Sequence, residues 1–92
     1  MKVFKFYLLS LFLTIHVSAF ETFLVSDIRI VGLQRVSTGS IFNVIPITVG
    51  DKIDIRKSSE ITRSLFNTEQ FDDIQIAKDG NTLIISVVER PS

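Results

Sequence analysis

The stretch Thr82 to Glu89, TLIISVVE, constrains this chain more than any other. Leu83, Ile85 and Val87 alternate onto one face, and Ile84, Ser86 and Val88 onto the opposite one. A strand that is apolar on both faces belongs in the middle of a sheet or under a second covering layer. Pro91 ends it, since proline cannot donate to a ladder. Just upstream, Asp79-Gly80-Asn81 is a turn signal. Phe71 to Ala77 precedes the turn as a second strand. Ile74 and Ile76 point one way, and Asp73 and Gln75 the other. The two strands make an antiparallel hairpin.

The remaining periodicity completes a small α+β unit. Residues 24 to 31, LVSDIRIV, place Leu24, Ser26, Ile28 and Ile30 on one face of a half-buried strand, and Gly32 ends it. Ser37 can cap a helix over 38–45, with Ile41, Phe42, Val44 and Ile45 as its apolar side. Pro46 stops that helix. Asp54 can cap a second helix over 55–67, carrying Ile55, Ile61, Leu65 and Phe66. Ser58, Ser59 and Thr62 stand where a stronger helix would carry apolar side chains. The order is β-α-α-β-β, with two helices on one face of a three-stranded mixed sheet. The expected core is Ile28, Ile30, Phe71, Leu83, Ile85 and Val87, with Leu65 and Phe66 facing it.

Residues 1–19 read as an address. Lys2 and Lys5 precede the apolar run Phe6 to Val17, and Val17-Ser18-Ala19 offers small side chains for a signal peptidase. A permanent anchor is the rival reading. Spanning a bilayer takes ~20 apolar residues, and this run is shorter and carries Ser10, Thr14 and His16. Cleavage after Ala19 leaves residues 20–92 as one domain. That domain holds 8 basic and 10 acidic residues, a net charge of −2. It has no cysteine, so a hydrophobic core alone must hold it.

The chemistry of catalysis is missing. The only histidine is His16, inside the leader. Without histidine or cysteine the domain lacks the usual nucleophile pairs and zinc sites, and no catalytic, metal or cofactor residue is assigned. Asp72 and Asp73 read as a solvated strand start, and Asp51 and Asp54 as flanks of a helix start. The basic residues are interleaved with acids, which argues against a nucleic-acid stripe.

What remains is surface. The 71–77 strand is the outer member of the hairpin, and its free N–H and C=O groups can pair with an extended peptide. The candidate docking residues are therefore Phe71, Asp72, Asp73, Ile74, Gln75, Ile76 and Ala77. Ile84 and Val88 on the neighbouring strand add an apolar contact. A proline at Gln75 is expected to remove an edge donor. The rival reading, an edge merely blunted by Asp72 and Asp73, stays open.

The run Asp27 to Val36, DIRIVGLQRV, resembles the opening of the first POTRA domain in BamA-type outer-membrane assembly factors. Pro46, Gly50-Asp51, Arg63, Leu65-Phe66, Phe71, Ile74, Asp79-Gly80, Thr82-Leu83 and Glu89-Arg90-Pro91 continue the match in order. The resemblance covers nearly all of residues 23–91. It implies a periplasmic module at the outer membrane. Its implied partners are unfolded outer-membrane clients, a periplasmic chaperone and accessory assembly lipoproteins. In the family, further POTRA domains and a membrane barrel follow the ERP segment, so membrane contact would come only through that barrel. A POTRA-like module of an inner-membrane-anchored division or secretion protein is the alternative.

Overall fold

β5 (Thr82–Glu89) lies in the middle of a three-stranded sheet, antiparallel to β4 (Phe71–Asp79) and parallel to β2 (Asp27–Val31). The computed structural model describes residues 21–91, so the leader expected over residues 1–19 lies outside the described residues. Between β2 and β4 come α1 (Thr38–Val44) and α2 (Ile55–Phe66). Two short strands, β1 (Phe23–Leu24) and β3 (Lys52–Ile53), pair as a separate antiparallel ribbon. The β-α-α-β-β order is therefore present, with β1 added before it and β3 inserted between the two helices.

Both helices begin where side-chain caps are available. The Ser37 hydroxyl accepts from the Ser40 amide, and Asp54 Oδ1 accepts from the Lys57 amide at 2.7 Å. Each satisfies one orphan donor of a first helical turn. Pro46 follows the last turn of α1, where the chain has become extended at Ile45.

The core lies between the sheet and the helices. Leu83, Ile85 and Val87 supply its floor, and Ile41, Ile45, Ile61 and Leu65 its roof. Phe23, Val25, Ile47 and Ile53 close it at the ribbon, and Phe71 and Ile74 at the other end. The buried stripe of α2 is Ser58, Ile61 and Leu65, at i, i+3 and i+7. Ser58 thus occupies a core position, and the Thr62 hydroxyl, half-buried, donates back to its carbonyl.

Several expected positions differ. Phe66 is 41% exposed rather than facing the core, because it follows Leu65 by one residue, about 100° round the helix. Ile55, Phe42 and Val44 are also exposed, so only Ile41 and Ile45 of the α1 segment are buried. Ile28 and Ile30 share the face of Leu83 and Ile85 but stay half-buried, since they lie on an edge strand and α2 packs chiefly on β4. The expected 24–31 strand is broken at Ser26. Leu24 points to solvent, while Phe23 and Val25 point inward.

Candidate docking surface

β4 forms one edge of the sheet, and its register decides which backbone groups are free. Gly80 and Asn81 form a two-residue loop, with Gly80 at φ 62° in the first central position, as a type II′ turn requires. The pair closing such a turn, Asp79 and Thr82, exchanges hydrogen bonds. Hydrogen-bonded pairs alternate along an antiparallel ladder, so Ala77 with Ile84, Gln75 with Ser86 and Asp73 with Val88 are bonded pairs too. The N–H and C=O groups of Ile74, Ile76 and Lys78 then point outward. A proline at Gln75 would therefore break the bond to Ser86 rather than remove an edge donor, which corrects the sequence expectation.

Phe71 and Ile74 are both buried although three residues apart. Regular alternation would put them on opposite faces. The register slips between Phe71 and Asp73, so Asp72 is the extra residue of a bulge. Asp72 and Asp73 are consequently both exposed. The outer face of the sheet carries Asp73 beside Val88, Gln75 beside Ser86, and Ala77 beside Ile84 and Arg29. Val88 is 54% exposed and Ile84 half-buried. Of the seven expected edge residues, Phe71 and Ile74 thus present backbone only, Ile76 is half-buried, and the other four expose side chains.

A second constellation sits where β5 ends. Glu89 points into the loop after β2 and accepts backbone N–H groups from Gln34, from Arg35 at 3.0 Å and from Val36 at 3.1 Å. Three successive amides converging on one carboxylate form an anion nest. Arg35 adds its guanidinium, with Nε 3.8 Å from the carboxylate and Nη2 donating to the Arg90 carbonyl. The Gln34 amide does most to lower the Glu89 pKa below its ordinary 4.5. Burial opposes this, and the Val36 and Arg35 amides and the Arg35 charge reinforce it. Just before this loop, Gly32 sits at φ 97°, against the backbone of Val87.

A depressed carboxylate pKa stabilises the fold above the unfolded value, and that contribution is lost as pH falls through the folded value. Glu89→Gln keeps the shape but loses the charge and turns an NH2 toward donors. The variant is expected to melt below the wild type at neutral pH. The gap is expected to close below about pH 4.5, where wild-type Glu89 takes up its proton. Melting curves across that range check it; a gap independent of pH contradicts it.

No family model matches the chain. Its sequence is 38% identical over 74 residues to the outer membrane protein assembly factor BamA of Neisseria meningitidis serogroup B, which covers 80% of this chain. It is 33% identical over 81 residues to the BamA of Buchnera aphidicola, covering 88% of this chain. Among solved structures it superimposes on the POTRA1-2 region of the periplasmic domain of Omp85 from Anabaena. The TM-score is 0.65 at 17% identity, over 79% of this chain and 50% of that one. The N-terminal domain of Omp85 from Thermosynechococcus elongatus gives a TM-score of 0.61 at 19% identity, over 77% of this chain and 31% of that one. The described residues have the fold of a POTRA domain. The chain spans only 9% and 13% of the length of the two BamA relatives.

Two segments that carried the resemblance become one device in this POTRA domain. The GLQRV run supplies the nest and the Gly32 approach, and the ERP run supplies the Glu89 carboxylate. Sequence reasoning missed this link because the partners lie 53 to 55 residues apart. The available signal was a lone acid at the end of a largely apolar strand, two residues before Pro91.

Proposed function

We propose that this POTRA domain is a periplasmic docking module of a BamA-like outer-membrane β-barrel assembly factor, preceded by a signal peptide over residues 1–19. It takes up extended segments of unfolded client, of a chaperone or of an accessory lipoprotein by strand addition at β4, with no chemistry and no cofactor. The observation that carries this reading is the place of β4, a nine-residue strand at the sheet edge with outward backbone groups at Ile74, Ile76 and Lys78. Ile84 and Val88 on the outer face offer a modest apolar contact beside it. The identity to two BamA proteins favours this over a module of a division or secretion protein.

Backbone pairing supplies most of the affinity, so binding is weak and tolerant of sequence. Titrating the isotope-labelled protein with an extended outer-membrane-protein peptide is expected to shift amides of residues 71–79. Lys78→Pro removes an outward donor without touching the ladder to β5, and it is expected to weaken binding relative to Lys78→Ala. Shifts confined to the helices, with β4 silent, would sink the reading.

A further inference from the structure

The sheet has a second edge, β2, and it is built differently from β4. β4 carries the Asp72 bulge and the exposed acids Asp72, Asp73 and Asp79. Its Lys78 lies on the core side of the sheet, 5.4 Å from the centre of the Phe23 ring and 3.9 Å from Glu21. Bulges, charges and inward-turned lysines are the devices that discourage indiscriminate pairing at an edge. β2 has neither a bulge nor an inward-turned lysine, and its register with β5 is unbroken; its charges are Asp27 at the start and Arg29 at the centre, both exposed on the outer face. Among the described residues, no backbone hydrogen bond outside that ladder uses residues 27–31.

The side chains of β2 describe an occupant. On the inner face Ile28 and Ile30 are half-buried, and Leu33 and Val36 continue the same apolar floor. On the outer face Arg29 is exposed at the centre of the strand, and among the described residues no carboxylate lies within 4.0 Å of it. Its neighbours across the sheet are Ile84 and then Ala77, neither of them charged.

We infer that β2 is a second strand-accepting edge, selective for an extended peptide with apolar residues at alternate positions and a carboxylate between them. The backbone of such a peptide continues the ladder. Its inward side chains complete the cover of Ile28 and Ile30, and its carboxylate stands beside Arg29 as a cross-strand pair. A second copy of this chain is a poorer fit. Antiparallel pairing over all five residues of β2 would set Arg29 opposite Arg29, a like-charge pair. The inference rests on strand addition as the mode of binding and adds a site with its own selectivity.

The test titrates the isotope-labelled protein with two synthetic peptides of one composition, Val-Glu-Val-Glu-Val and Val-Val-Val-Glu-Glu. Saturable amide shifts on residues 27–31 are expected with the alternating peptide, at an affinity about tenfold or more above that for the permuted one. Arg29→Glu, an exposed change that leaves the rest of the amide spectrum in place, is expected to lower that affinity about three- to tenfold. Equal response of residues 27–31 to both peptides, or silence there, overturns the inference. So do concentration-dependent shifts at 27–31 without peptide, which would report self-pairing. Shifts at 71–79 alone overturn it while leaving the β4 reading standing; shifts at 27–31 alone uphold it and remove the β4 reading.

Discussion

Ile85→Ala is expected to destabilise the domain by about 3–5 kcal/mol, at the upper end for a buried aliphatic truncation. Ile85 is fully buried at the middle of the central strand. Ile30 flanks it from β2 and Ile76 from β4. A cavity there has little room to collapse, because the sheet holds both neighbours in register. A domain of this size has about 4–10 kcal/mol to lose, so the change removes a third or more of its stability. In thermal unfolding followed by circular dichroism, the midpoint is expected to fall by more than about 10 °C. Ile84→Ala, one residue away on the outer face, is the control and is expected to cost about 1 kcal/mol or less. Equal effects at the two positions would show that the faces are misassigned.

Gly32→Ala is expected to act on the backbone instead. A Cβ built at Gly32 lies 2.0 Å from the carbonyl oxygen of Val87, and the obstacle is main chain that cannot rotate aside. The conformation at φ 97° adds about 1–3 kcal/mol for any residue with a side chain. Relief requires β2 to move away from β5, which would also loosen the Glu89 nest. A loss of about 3 kcal/mol or more is expected, read as a drop in the urea midpoint. Gly39→Ala has the opposite sign. It lies in α1 with nothing within 4 Å of the new methyl group, so a gain of about 0.5 kcal/mol is expected. If both alanines act alike, the close approach of Gly32 to β5 is not a feature of the molecule.

The outcome at each element follows from how local its cause is. β5, the Gly80-Asn81 turn and both helix caps were legible because alternation, turn chemistry and capping act within a few residues. The faces failed wherever alternation changes phase. At Ser26 the inward set passes from Phe23 and Val25 to Ile28 and Ile30, and at Asp72 it passes from Phe71 to Ile74 and Ile76. Neither break has a glycine or proline to mark it. Phe66 misled for a related reason, since an exposed phenylalanine at a helix end has the same composition as a buried one. On the candidate surface, the place of β4 at an edge was legible from the hairpin. The direction of its amides was not, because that depends on which pair closes the turn.

The middle strand of the sheet is also the last to be made. β2 and β4 flank β5 and do not touch each other, so no ladder between them exists until residues 82–89 are present. The Glu89 carboxylate that ties down residues 34–36 belongs to the last residue of that strand. A chain emerging from its N-terminus would expose Ile28, Ile30, Ile74 and Ile76 with nothing to cover them, and pairing β2 with β5 closes a long loop first. Assembly is therefore all-or-none in time as well as in energy. Until residues 82–89 are made, this domain is itself an unfolded chain with open strands.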